Sequence, residues 1–385
     1  MGSGEHSTKI NISAFYFFVF FGFGGLFPLI SIYLRDSIQL SGTQIGMILS
    51  IGPIVMIVAQ PIWGMICDYT QRSRLVLTIA VLATGLVGLF YLFGGYYWFL
   101  FVATLLALFQ SPIIPISDSL TMRTVTQKGW NYGDFRLWGA VGFALATFVM
   151  GLFSDHLGLA VIFYMFALTM LLGSIFAWRM PEEKISLAID LRTGLRKLLS
   201  LPSFVFFLVA TFLIYGPIQA NNVFFSLLFQ DLGGTVAGVG IGFLLAAGSE
   251  VPFIKYAGPW MKWRGPLPIL FLAAAVSGLR WIFYFFEPSL TWVYASTLVQ
   301  GVSVGLFIPA ALQYVQELTP PEVQVTAISM YTAAGVGLGN WFFTFLGGLL
   351  IDHFNIFTTY LFFGTLTLGG VTILLGLMWV AKRRR

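Results

Sequence analysis

The sequence predicts an all-α membrane protein, with twelve transmembrane helices in two six-helix halves related by pseudo-twofold symmetry. Three observations predict it. Of 385 residues, 58% are hydrophobic and only 9% charged, against about 25% charged in a soluble domain. The apolar residues gather into runs of roughly 18 to 25, the length a helix needs to cross a hydrocarbon core of about 30 Å. The one long polar connection falls midway, with six runs before it and six after. Period-two alternation with polar lumen positions, the mark of an outer-membrane barrel, is absent.

Glycine, proline and charge clusters punctuate the runs. The first, 10–34, is too long for a signal peptide, lacks a clear cleavage site and is followed by further spans; Arg35 and Asp36 close it. The second, 43–66, ends before Asp68, Arg72 and Arg74. The third and fourth, 74–93 and 98–121, are parted by glycines and end before Arg123 and Lys128. The fifth, 135–154, stops at Asp155 and the sixth, 159–178, at Arg179. After the middle connection come 203–229, closed by Asp231, and 236–257, closed before Lys262 and Arg264. The ninth, 266–286, stops at Glu287. The tenth and eleventh, 290–314 and 325–350, precede Asp352, and the twelfth, 356–380, runs into Lys382 and three arginines. The expected domains are therefore an N-terminal bundle, 1–178, a middle loop, 179–202, and a C-terminal bundle, 203–385. Within the loop, the stretch LRTGLRKLL reads as a basic amphipathic piece at the membrane surface.

With the amino terminus placed in the cytoplasm, the loops on that side hold nearly all the basic residues. The opposite side holds Arg35 against Asp36, Asp155, Asp231, Glu287 and Asp352. The positive-inside rule then places both termini in the cytoplasm of a multi-pass protein of the cell (inner) membrane. It also accounts for the net charge of +5 without a nucleic-acid partner. The expected partners are the lipid bilayer and a small-molecule solute, and the chain is expected to be a monomer. A single cysteine, Cys67, allows no intramolecular disulfide and no cysteine-based metal site. His6, His156 and His353 lie in the tail or beside loops, so no metal is expected. No cofactor is expected beyond a proton as coupling ion.

The halves echo each other. Gly151-Leu-Phe-Ser-Asp155-His156 returns as Gly348-Leu-Leu-Ile-Asp352-His353, and Ile114-Pro115 as Ile308-Pro309. Both echoes fall six spans on at similar offsets, which argues for a duplicated bundle with parallel halves.

Among the charges inside the apolar runs four stand out: Asp118, Arg136, Glu250 and Arg280. A charge near a helix centre costs about 2.5 to 3.5 kcal/mol, so such groups usually face a partner or a wet cavity. Taking spans four and five as a hairpin sets Asp118 and Arg136 at similar depth, and spans eight and nine do the same for Glu250 and Arg280. An arginine offers a planar fork of donors and a carboxylate offers acceptors, a set that can grip a polyhydroxylated or anionic solute. A desolvated carboxylate can also take up and release a proton. The competing readings are snorkelling interfacial charges for the first pair and a structural ion pair for the second.

Gly64-Met-Ile-Cys-Asp68-Tyr-Thr-Gln-Arg72-Ser-Arg74 follows the second span. Glycine allows close helix approach and an aspartate can accept from helix amino termini and basic groups. Such a cluster can act as a cytoplasmic gate formed by Gly64, Asp68, Arg72 and Arg74; its bland alternative is an ordinary charged loop. The stretch resembles the loop signature of the major facilitator superfamily. Its expected second copy, Gly258-Pro-Trp-Met-Lys262-Trp-Arg264, has lysine where aspartate would sit.

Pro115-Ile-Ser-Asp118 and Tyr132-Gly-Asp-Phe-Arg136-Leu-Trp-Gly-Ala-Val-Gly-Phe143 resemble the group of proton symporters containing the lactose and phenylpropionate permeases. Phe27-Pro28, Gln60-Pro61, Gly248-Ser-Glu250-Val and Leu279-Arg280-Trp281 extend the resemblance over nearly the whole chain. It implies a major facilitator fold, solute binding by Asp118 and Arg136, and proton coupling at Glu250 and Arg280. Phe143 stands where that group's sugar-stacking tryptophan would be, which puts galactoside recognition in doubt. Gln300 and Ser303 replace a proton-linked histidine and glutamate, so Glu250 is the first candidate to carry the proton and Asp118 the second.

Phe20, Phe23 and Phe27 share a helix face, and Phe27 is a candidate to stack on a solute ring. Among the amides Gln219, Asn221 and Asn222 of span seven, Asn222 is a candidate solute contact, as is Gln300 in span ten. Gly335-Val-Gly-Leu-Gly339 lies inside a span with no preceding strand, so it reads as helix packing and not as a nucleotide loop. No Walker motif appears. The expected function is secondary active transport, namely proton-coupled uptake of a sugar or related polyhydroxy compound by alternating access. Symport of an aromatic carboxylate or nucleoside, proton-driven export and a transporter-like receptor without turnover are the alternatives. No nucleophile, base and acid set can be assembled, so an enzyme is not expected.

Overall fold

A bilayer offers no partner to a bare amide, so each apolar run must close its N–H groups on its own carbonyls, and only a helix does this within one segment. The computed structural model describes residues 3–182, 197–320 and 323–383. Among them it has twelve helices long and apolar enough to cross a membrane. These are α1 (Glu5–Ser37), α2 (Gly42–Thr70), α3 (Ser73–Leu92), α4 (Tyr96–Lys128), α5 (Tyr132–Leu157), α6 (Val161–Trp178), α7 (Pro202–Asp231), α8 (Val236–Arg264), α9 (Pro266–Phe285), α10 (Leu290–Leu318), α11 (Thr326–His353) and α12 (Ile356–Arg383).

Each expected span has its helix, and the differences lie at the ends. α2 continues through Gly64 and Asp68, which the sequence reading set in a loop, and stops only at Gln71, a residue at φ +54°. α4 runs to Lys128 and is stopped by Gly129 at φ +67°. The stretch Gly258–Arg264 is helical as well. Polar side chains at a membrane edge do not break a helix; a left-handed residue does. The basic stretch 191–199 falls largely outside the described residues.

Five spans are not uniform, among them α3, which ends in a 3-10 turn at Leu89–Leu92. α1 is interrupted after Leu26, around Pro28, and ends in a π-helical turn, Tyr33–Ser37; α4 is interrupted at Ser111–Pro112. α10 and α11 carry π-helical segments at Gly301–Gly305 and Ala333–Gly339. Such segments appear mostly inside α-helices and frequently at functional sites.

The chain forms two compact units. One comprises Met1–Leu40, Ile51–Ala188 and Thr235–Ile241; the other comprises Ser41–Ser50, Ile189–Gly234 and Gly242–Arg385. α2 and α8 are therefore each shared, their first residues belonging to one unit and the remainder to the other. In the first unit α1 lies against α5 and α6, and α3 against α6. A Cβ at Gly24 would run into the Phe143 carbonyl, and one at Gly142 into that of Phe17. These glycines let the α1 and α5 backbones touch, and the Thr147 hydroxyl ties them by donating to the Gly24 carbonyl at 2.8 Å. In the second unit α12 covers α7 and α9.

The repeated Gly-to-Asp motif has a structural task. In the first unit Asp155 accepts from the Ala237 amide at 3.2 Å. In the second, Asp352 accepts from the Gly42 and Thr43 amides at 2.6 and 2.8 Å. Each aspartate thus caps the first turn of α8 or α2, where unpaired amides and the helix dipole favour an anion. Gly151 and Gly348 lie against the same turns, with no room for a side chain.

Candidate functional site

In the first unit the polar site rests on α1, α4 and α5. Tyr16, fully buried, donates its hydroxyl proton to Asp118 Oδ1 at 2.6 Å and lies 3.3 Å from Thr121 Oγ1. The Arg136 guanidinium sits 4.2 Å from the Phe20 ring centroid and 5.7 Å from that of Tyr16. Arg136 makes no ion pair with Asp118. Tyr16 stands between them, its hydroxyl on the acid and its ring under the base. Asp118 accepts from Tyr16 and is reached by Tyr132 as well, while the Arg136 fork is held by ring faces. Asp118 lies ten residues before the end of α4 and Arg136 four after the start of α5.

Phe20, Phe23 and Phe27 form a continuous row, with centroid separations of 5.7 and 5.6 Å. Phe27 is half-buried at the interruption of α1. Phe143 is half-buried too, its backbone set against Gly24.

In the second unit the site rests on α7 to α10 and α12. Glu250 and Arg280 each lie fourteen residues from the facing helix ends, Arg264 and Pro266, so here the hairpin symmetry holds. They too are not directly paired. Arg280, 5% exposed, donates Nη1 to Gln300 Oε1 at 2.9 Å, and Gln300 passes Nε2 to Glu250 Oε1 at 3.3 Å. Gln300 is therefore the neutral link between acid and base. The other edge of Arg280 donates Nε to the Tyr284 hydroxyl at 2.9 Å, which lies 2.7 Å from Ser296 Oγ. Ser296 spends its single proton on the Val293 carbonyl, so Tyr284 is the donor of that pair.

Local backbone explains how Gln300 reaches Glu250. It is the last residue before the π-helical turn, and the next residues press α10 on α8. A Cβ at Gly301 would strike the Ser249 carbonyl, and one at Gly305 would come 3.0 Å from that of Glu250. The Gly301 amide donates to Ser249 Oγ at 3.0 Å. Ser303, in the same turn, is buried and its hydroxyl has no partner.

Of the amides in α7, Asn221 rather than Asn222 joins this region. The Tyr360 hydroxyl donates to Asn221 Oδ1 at 2.8 Å, and Asn221 borders a tight crevice, with no room for a water, beside Arg280, Thr297, Gln300, Phe225 and Phe243. Asn222, half-buried, does not line it.

At the gate motif, Gly64 is buried and Arg72 is exposed at the start of α3. Arg74 pairs with Glu182 at 2.7 Å and lies 5.4 Å from the Trp178 ring. The Asp68 carbonyl accepts from the Gln71 side chain at 2.6 Å. Among the described residues no group of three His, Cys, Asp or Glu side chains could hold a metal.

The sequence reading missed Tyr16, Tyr284 and Tyr360. Two carried a signal: Tyr16 continues the helix face of Phe20, Phe23 and Phe27, and Tyr284 stands one turn after Arg280. Tyr360 lies in a different span from its partner, and no local pattern marks it.

A model of the MFS_1 like family matches residues 9–362. The maltose permease of Geobacillus stearothermophilus is 47% identical over 384 residues, 99% of this chain and 97% of its own length. The probable 3-phenylpropionic acid transporter of Escherichia coli (strain K12) is 26% identical over 350 residues, 88% and 90% of the two chains. A crystal structure of a mutant of the nucleoside transporter NupG matches with a TM-score of 0.88 at 16% identity, covering 96% of this chain and 99% of its own. That last likeness is one of fold.

Proposed function

Because the chain belongs to the MFS_1 like family of transporters, we propose that it takes up a neutral sugar or related polyhydroxy solute together with a proton, by alternating access. One observation carries this reading: neither half-buried acid is paired directly with its arginine. Asp118 is met by Tyr16 and Arg136 by ring faces, while Glu250 and Arg280 meet through Gln300. Carboxylate oxygens and guanidinium N–H groups thus stay open to hydroxyls, which both donate and accept. The 47% identity to a protein named maltose permease favours the same class.

In this reading Asp118, Arg136, Phe27 and Phe143 bind solute in the first unit and Gln300 in the second. Glu250 carries the proton under the influence of Arg280, and Gly64, Asp68, Arg72 and Arg74 gate the cytoplasmic side. The protein acts as a monomer in the cell membrane with both termini inside. The row Phe20, Phe23 and Phe27 favours a second reading, an aromatic carboxylate as cargo, in line with the name of the 26%-identical relative.

The test is transport by purified protein in proteoliposomes. Maltose counterflow is expected from wild type and is lost in Asp118→Asn and Arg136→Ala while both remain monodisperse. Sugar-induced alkalinisation outside energised cells is expected to vanish in Glu250→Gln. Binding without exchange would make the protein a receptor, expulsion of toxic cations an exporter, and movement of 3-phenylpropionate without maltose would establish the second reading.

A further inference from the structure

Two phenols converge on the Asp118 carboxylate, and they are held very differently. Tyr16 is fully buried; its ring meets Phe15 edge-on at 5.7 Å, stacks on Phe20 at 6.3 Å and lies beneath the Arg136 guanidinium. Tyr132 reaches the same carboxylate and the Tyr16 hydroxyl, yet it is the first residue of α5 and only half-buried. The aromatic residues beside it, Trp130 and Phe135, pack on each other at 5.8 Å. The backbone under Tyr132 is fixed. Asn131 caps α5 by accepting from the Gly133 amide at 2.9 Å, and Lys9 of α1 lies 4.7 Å from the Trp130 ring. Moving the phenol off the acid therefore needs only a rotation about χ1 between staggered wells, with no shift of the helix.

Tyr132 and Arg136 stand one turn apart on the same face of α5, so this phenol sits at the edge of the Asp118–Arg136 site and within electrostatic reach of both charges. An ionised carboxylate only accepts, and holding one half-buried without donors is unfavourable. In the empty site the two phenols supply those donors. A hydroxyl that enters between Asp118 and Arg136 brings a donor for the acid and an acceptor for the guanidinium, but it needs an acceptor position that a phenol already fills. Tyr16 is not the one to yield it, because its departure would empty a fully buried position and take a ring from under Arg136. Tyr132 has neither constraint. A carboxylate cargo has no donor to offer Asp118 and would leave the phenol where it is, so the exchange selects hydroxylated solutes.

We propose that Tyr132 is a placeholder: its phenol occupies an acceptor position on Asp118 in the empty site, yields it to a hydroxyl of a neutral solute, and reclaims it when the solute leaves. This rests on the transport reading above and adds a residue that sets affinity by competing with the cargo.

The test is equilibrium binding of labelled maltose to purified wild type, Tyr132→Phe and Tyr16→Phe. A phenol is more acidic than a sugar hydroxyl and so the stronger donor. Its removal takes away a competitor, and Tyr132→Phe, which keeps the ring, is expected to bind maltose about threefold to tenfold more tightly. Tyr16→Phe is expected to bind it more weakly, because there the lost hydroxyl positions the acid. In wild type, saturating maltose is expected to raise the acetylation of Tyr132 by N-acetylimidazole, read by peptide mass spectrometry. A residue that merely holds the start of α5 would show neither the gain in affinity nor the added reactivity. Unchanged or weaker binding in Tyr132→Phe, with wild type binding maltose, overturns the placeholder and leaves the transport reading standing. Protection of Tyr132 by maltose does the same, since it would make the phenol a direct contact of the solute. If wild type binds no neutral sugar at all, the transport reading fails and the placeholder falls with it.

Discussion

Removing the Asp352 carboxylate is expected to loosen the first turn of α2, and the structure sets both the size and the rank of the effect. Asp352 accepts from two amides, at 2.6 and 2.8 Å, on a helix that begins with Gly42. A capping carboxylate is worth about 0.5 to 2 kcal/mol, and its interaction with the helix dipole about 0.3 to 1 kcal/mol. Asp352 is exposed, so solvent screening favours the lower part of that range, about 1 kcal/mol. Asp155, with one bond at 3.2 Å, should contribute about half as much. Because 1.4 kcal/mol is a factor of ten, Asp352→Ala should speed amide exchange at Gly42 and Thr43 by about fivefold. Asp155→Ala should speed exchange at Ala237 by about twofold. Asp352→Asn keeps one acceptor oxygen and should fall between wild type and alanine. Hydrogen–deuterium exchange mass spectrometry on protein in nanodiscs resolves these peptides. Unchanged exchange at residues 42 and 43 in Asp352→Ala, or a larger effect from Asp155, would refute the view that the repeated aspartates are helix caps supplied from a neighbouring helix.

Three further outcomes follow from the same structure. Gln300→Leu strips Arg280 and Glu250 of their shared amide, and charged hydrogen bonds contribute about 1.5 to 3 kcal/mol each; a clear drop in melting temperature and loss of solute binding are expected in detergent. Gly24→Val drives a side chain into the Phe143 carbonyl, an overpacking of about 1 to 3 kcal/mol that should lower the melting temperature and the yield of monodisperse protein, whereas the same change at Gly258, which has open space around it, should not. Arg74→Ala breaks an exposed pair with Glu182 and should change stability by less than about 1 kcal/mol; a large loss would mean that the gate motif is also a structural keystone.

Sequence by itself determined the number of helices, their order and nearly their bounds, because hydrocarbon forces each apolar run to satisfy its own backbone. It also singled out Asp118, Arg136, Glu250 and Arg280, since an ion is conspicuous in an apolar run at whatever depth its side chain ends. The repeated Gly-to-Asp motif was visible as a duplication, but its task was not. That task depends on which helix begins beside each aspartate, and nothing along the chain relates residue 352 to residue 42. Tertiary structure alone decided how the four charges are partnered. Hairpin arithmetic set each acid level with its arginine, yet Tyr16 and Gln300 come between them. Those bonds span helices far apart in sequence, where direction and reach are set by packing against α5 and by the π-helical turn of α10. The pattern along α7 pointed to Asn222, whereas the structure sets Asn221 beside Arg280 and Gln300. One residue along a helix is about 100° of rotation, and only the tertiary structure brings Tyr360 to Asn221.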